Sequence, residues 1–124
     1  MSGLYLAEVS SVALPRLPPS THEDGQALVA LKIFPSKLLG NRSYLDRFYL
    51  EAQMMAEFDH RHVVRGYHAG CLGDVHFHAM EFIAGRDLGK LVDRTSPLDF
   101  YEALQYLRQA AAGLDYIHGQ GVVH

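Results

Sequence analysis

The sequence predicts an α+β fold in which short strands gather around one helix and further helices follow. Three observations point there. Strand-like runs and helical periodicities come in blocks, in the order β, β, α, β, β and then helices, not in strict alternation. Gly73-Asp74 sits between two β-rich runs, as a hairpin turn requires. From Asp99 onward the chain carries its clearest amphipathic helix.

Each element has its own warrant. SGLYLAEVS, residues 2–10, is rich in β-favouring side chains and reads as a strand. SVALPRLPPSTHEDG then brings Pro15, Pro18, Pro19, Asp24 and Gly25 and reads as a loop. That stretch is long for a connection inside one domain, so a Pro-rich surface insertion is expected over about 12–25. QALVALKIF is a second strand, almost continuously apolar, with Lys32 set inside it and Pro35 closing it. From Arg42 to Phe58, Leu45, Phe48, Tyr49, Ala52, Met55 and Ala56 recur at helical spacing. DHRHVVRGYHAG follows as a turn and a third strand. CLGDVHFHAMEF supplies the hairpin turn and a fourth strand. A short helix is expected from Asp87 to Asp93. In the last helix Asp99 and Glu102 form a capping box, while Leu104, Leu107, Ala111, Leu114 and Ile117 line one face. Gly119 ends it.

Composition narrows the function classes. The 124 residues suit one ordinary domain or part of a larger one. A net charge of −3 with no basic run argues against nucleic acid as a partner. The single Cys71 fits a reducing compartment, and a cytoplasmic setting is the expectation. No apolar run approaches a bilayer span, and MSGLYLAEVSS lacks the basic start and long apolar stretch of a signal peptide.

The chemistry centres on Lys32. An ammonium inside an apolar strand must find a partner or lose its charge, and Glu51 on the following helix can supply a carboxylate across the packing interface. Two readings stand at this point. The pair is structural, or Lys32 snorkels to the strand edge; alternatively the pair holds a fixed positive charge toward an anion. The pattern alone favours the structural reading.

Longer matches shift that balance. VALK, Val29 to Lys32, resembles the third-strand V-A-I-K signature of protein kinases. RFYLEAQMMAEFDHRHVV looks like that family's third helix and the turn after it. FHAMEFIAGRDL resembles the segment joining the two kinase lobes. PLDFYEALQYLRQAAAGLDYIHGQGVVH resembles the long helix that leads into the catalytic loop, so that His124 would open H-R-D. The flavour is that of Ser/Thr protein kinases of bacterial type.

The resemblance implies an antiparallel sheet with one packed helix as the small lobe, residues 1–83, followed over 84–124 by the hinge and the first helices of an incomplete large lobe. It implies an ATP-dependent Ser/Thr kinase reaction assisted by Mg2+, acting on a protein substrate that the sequence does not specify. Lys32 would contact the α- and β-phosphates and Glu51 would orient it. Leu4 and Ala30 would roof the adenine, with Met80 at the back of the pocket. The backbones of Glu81 and Ile83 would bond the adenine edge, and Asp87 would reach the ribose. The family's catalytic Asp, its Asn and D-F-G would come after His124, so no metal ligand is assigned within the chain. By itself the chain is expected to be inactive.

Two departures from the family pattern stand out. The first strand and most of the Gly-rich loop are lacking, with Ser2 falling on the third glycine and Leu4 on the following Val. Gly66 falls where active kinases place a bulky side chain in a stack continued by Met55 and based on His124. This leaves a gap unless Tyr67 swings in. Rival functions are a non-catalytic nucleotide- or partner-binding remnant and, more remotely, a zinc-binding domain built on His60, His62, His76 and His78.

Overall fold

Aliphatic side chains dominate the first two β-rich runs, and both form strands. In the computed structural model, which describes residues 3–10, 26–38, 40–95 and 97–123, β1 spans Gly3–Ser10 and β2 spans Gln26–Ile33. Ser2, the insertion expected over about 12–25 and His124 lie outside the described residues. After Pro35 a short 3-10 turn, Ser36–Leu38, leads to helix α1, Arg42–Glu57. Asn41 precedes α1 in an extended conformation, and its carbonyl accepts the N–H groups of Tyr44 and Leu45. Strands β3, Gly66–Leu72, and β4, Val75–Glu81, complete a sheet of order β1-β2-β4-β3 in which all neighbours are antiparallel.

The hairpin between β3 and β4 turns at Gly73-Asp74, as the sequence predicts. Gly73 has φ +58°, a left-handed conformation that a side chain would strain. Cys71 and Leu72 belong to β3 and pair with His76 and Val75. β3 therefore reaches the turn itself, and β4 starts only after it.

Helix α1 buries Phe48 and Ala52 toward the sheet. Phe34, just past β2, meets Phe48 edge to face with centroids 5.3 Å apart. Its N–H donates to the carbonyl of His76 at 2.9 Å, so β2–β4 pairing continues one residue past the strand. Directly opposed residues of an antiparallel ladder share a face, and every second residue returns to it. Ala30, Lys32 and Phe34 thus lie on the same face as Met80, His78 and His76, and this is the face that α1 covers.

The described chain divides into two compact units. The sheet, α1 and residues 64–82 make one; His60–Val63 and the residues from Ile83 onward make the other. In the second unit, α2 spans Leu88–Thr95 and α3 spans Phe100–Gly119. Asp99 caps α3, its carboxylate accepting the N–H groups of Tyr101 and Glu102. Glu102 accepts a hydrogen bond from the Tyr106 hydroxyl. Helix α3 does end at Gly119, but the left-handed residue that turns the chain away is Gly121, at φ +80°.

The apolar stripe expected on α3 is largely exposed, and the helix makes its close contact through a different residue. Leu104, Leu107 and Leu114 are exposed, whereas Gly113 is buried. A Cβ at Gly113 would stand 2.7 Å from the carbonyl oxygen of His62, so only glycine lets the 60–63 turn approach this closely. His60 stacks on Tyr116 beside it, with centroids 4.9 Å apart and planes 19° from parallel. Alanine normally strengthens a helix by about 1 kcal/mol over glycine. Here Gly113→Ala drives a methyl into backbone and is expected to destabilise by about 1–3 kcal/mol. Urea denaturation of the full chain reads the difference, and a gain in stability would contradict the close contact.

Candidate functional site

Lys32 lies in the middle of β2, opposite Leu4 of β1 on one side and His78 of β4 on the other. Its side chain leaves the sheet on the α1 face and finds Glu51, with Nζ donating to Oε1 at 3.1 Å. Glu51 reaches it because α1 is held by neighbours on the same helical face: Phe48 and Ala52 are buried, and Met55 lies one turn further on. The ammonium is not sealed inside the protein. The Lys32 and Glu51 side chains keep 33% and 56% of their surface exposed. Such a pair contributes little to stability, but it leaves a fixed cation accessible to an anion from solvent.

The other residues read from the sequence divide by unit. Ala30 is buried and sits opposite Met80, which is half-buried on the same face. Leu4, opposite Lys32 in the β1–β2 ladder, is 69% exposed. Glu81 ends β4; its N–H donates to the carbonyl of Arg65 at 2.8 Å, and its carboxylate accepts the Arg65 N–H at 3.2 Å. Arg65 is further held by a salt bridge to Asp59. The entry to β3 is thus fastened to the end of β4 from two sides.

Ile83 and Asp87 belong to the second unit, where both are exposed. The Asp87 carboxylate caps α2, accepting the Lys90 N–H at 2.8 Å and pairing with Lys90 Nζ at 3.2 Å. These contacts, the backbone hydrogen bond first, hold Asp87 below the usual carboxylate range.

Sequence reasoning missed how the space at Gly66 is filled. A Cβ built on Gly66 would lie 3.0 Å from His78 Nε2 and equally close to the backbone carbon and Cβ of Met55. The imidazole of His78 therefore occupies the gap, and Tyr67 sits in the adjacent bulge, buried in its own right. His78 is only 2% exposed, and its Nε2 has no hydrogen-bond partner among the described residues. Burial first, then the Lys32 ammonium, lowers its pKa below 6.5, so it is neutral at pH 7. A histidine two residues before Met80 on the α1 face was visible in the sequence, but not that a glycine on the neighbouring strand makes room for it.

His60, His62 and His76 have local partners. The Tyr49 hydroxyl and His76 Nδ1 are hydrogen-bonded at 2.7 Å. Burial, then Cys71, raises Tyr49 above its ordinary value, which keeps its proton in place. The His62 N–H donates to His60 Nδ1. No group of three or more His, Cys, Asp or Glu among the described residues can hold a metal ion. The zinc reading on His60, His62, His76 and His78 therefore has no support among the described residues. An exposed ammonium fixed by a carboxylate beside a small buried alanine does suit a nucleotide phosphate and base.

Known proteins bear on this geometry. The family model for the protein kinase domain matches residues 19–124. The chain belongs to the protein kinase family. It is 35% identical over 96 residues to the serine/threonine-protein kinase PknL of Mycobacterium tuberculosis, an alignment covering 77% of this chain and 24% of that protein. It is 36% identical over 101 residues to PknA of Corynebacterium glutamicum, covering 77% of this chain and 22% of that protein. A crystal structure of the Mycobacterium tuberculosis PknI kinase domain superposes with a TM-score of 0.74 at 25% identity, over 100% of this chain and 45% of that one.

The chain thus spans about a quarter or less of the curated relatives' length and falls within a protein kinase domain. ATP and magnesium use come with that family. Strand β1 precedes the matched residues, whereas β2, α1, β3 and β4 fall inside them. No helix among the described residues is long and apolar enough to cross a membrane.

If the Lys32–Glu51 pair is as open as its exposure indicates, Glu51→Gln changes the unfolding free energy by less than about 1 kcal/mol. Guanidinium denaturation of the full chain measures this. A loss of about 3 kcal/mol or more would mean that the pair is buried and structural.

Proposed function

We propose that the chain forms the nucleotide-holding part of a Ser/Thr protein kinase, with Lys32 as the phosphate-binding cation. The observation that carries the reading is the 3.1 Å link from Lys32 to Glu51, on the sheet face that also presents Ala30 and Met80. Glu51 holds the ammonium at one height above the sheet, so Lys32 meets the α- and β-phosphates without first losing its own freedom. Ala30, with no side chain beyond Cβ, leaves room for a flat base, and Leu4 supplies apolar cover from the neighbouring strand. Met80 closes the back.

Glu81 spends its N–H on Arg65, so in this reading its carbonyl addresses the adenine amino group. Ile83 contributes the next backbone contact. Asp87 turns its carboxylate to the ribose in addition to capping α2. The domain to which these residues belong would transfer the γ-phosphoryl group of ATP to a Ser or Thr hydroxyl of a protein. The bond from the γ-phosphorus to the β,γ-bridging oxygen breaks, a bond from the hydroxyl oxygen forms, and the hydroxyl proton passes to a base. Magnesium, when bound, neutralises charge on the phosphates.

Isothermal titration of ATP into the full chain tests the reading. Lys32→Met is expected to weaken binding about tenfold, the order of one lost charge-assisted contact. Unchanged affinity in that variant would remove Lys32 from the site.

A further inference from the structure

His78 has no role in the reading above, although it is the most deeply buried polar side chain described and lies directly across the ladder from Lys32. Its Nε2 is orphaned, and Gly66 makes room for it. An orphaned polar atom at this depth is costly, and a leucine would fill similar space without that cost. The histidine therefore calls for a reason other than packing.

Its neighbours suggest one. The space it fills is bounded by β3 at Gly66 and by α1 at Met55. Met55 follows Glu51 by four residues, so both project from the same side of α1. Met55 backs onto Gly66 where His78 fills the space, so a shift of α1 at this point would carry Glu51 with it. The charged groups that act on His78 from its own face are Lys32 of β2 and Glu51 of α1; His68 of β3, which lies beside Phe77 on the opposite face, adds a weaker field. A proton on His78 would repel the Lys32 ammonium and attract the Glu51 carboxylate, the two groups whose pairing orients Lys32.

We propose that His78 is a positioning residue: while neutral it wedges α1 at the height where Glu51 holds Lys32, and when protonated it competes for Glu51 and loosens Lys32. Acid then weakens nucleotide binding. The functional half of this inference rests on Lys32 being the phosphate-binding cation; the coupling between His78 and Glu51 does not.

Two measurements on the full chain test it. In the first, ATP affinity is followed by calorimetry from pH 7.5 to pH 5.5 in the wild type and in His78→Leu. The phosphate protons of ATP titrate identically in both experiments, so only the difference counts. The wild type should lose measurably more affinity than the variant over that range, by less than about tenfold, because a ring that titrates below 6.5 leaves under one full unit of proton linkage at pH 5.5. Parallel curves would overturn the proposal.

In the second, carbon and nitrogen NMR of the wild type follows the His78 ring and the Glu51 carboxyl carbon against pH. The ring should titrate below 6.5, the ordinary histidine value, and the Glu51 signal should shift with the same midpoint. A Glu51 signal indifferent to His78 would overturn the coupling whether or not the leucine variant folds. Should neither protein bind ATP at pH 7.5, the Lys32 reading fails, and the NMR result alone decides whether His78 governs the pair.

Discussion

An ammonium placed in the middle of an apolar strand needs an acid close by, and Lys32 finds Glu51 one element later in the chain. Most of the sheet unit can be understood as what brings those two groups together. β2 lies between β1 and β4, which fixes the direction in which Lys32 leaves the sheet. α1 must then lie over that face at one height and one rotation. Phe48 against Phe34 sets its N-terminal half, and Met55 against Gly66 and His78 sets its C-terminal half. Between these contacts Glu51 has little choice of partner.

The pair itself adds little to folding, because both side chains remain wet. Burial of Val29, Ala79, Phe34 and Phe48 carries the stability instead, at roughly 25 cal/mol per Å² of apolar surface removed from water. Stability and the exposed ion pair thus sit in different side chains on the same elements. Aromatic and imidazole rings line the seam: Tyr49 bonds His76, His76 meets Phe34 edge to face, and His78 fills the space beneath Gly66. Each histidine at this seam packs against apolar or aromatic neighbours while carrying a polar ring nitrogen.

Much of this was legible in the sequence, for identifiable reasons. Lys32 stood out because a cation interrupts an apolar strand, and Glu51 because a carboxylate follows on the next amphipathic element. The hairpin at Gly73 and the cap at Asp99 follow local rules that need no tertiary context, and both are present. Contacts made across elements were less legible. Apolar periodicity marked leucines on α3, but the helix uses Gly113 to meet the 60–63 turn, and a missing side chain leaves no apolar signal. Gly66 suggested a gap, because a one-dimensional pattern does not show that His78 reaches it from the neighbouring strand. Asp87 is singled out as a ligand group by the family pattern, and its second task as the cap of α2 through Lys90 is what the sequence reading left out.

The most direct test of the account is a crystal structure of the full chain with a non-hydrolysable ATP analogue. The account predicts the Lys32 ammonium bridging the Glu51 carboxylate and an α- or β-phosphate oxygen, with the base lying against Ala30. An analogue bound elsewhere, or Lys32 turned away from Glu51 with the phosphates out of its reach, would contradict it.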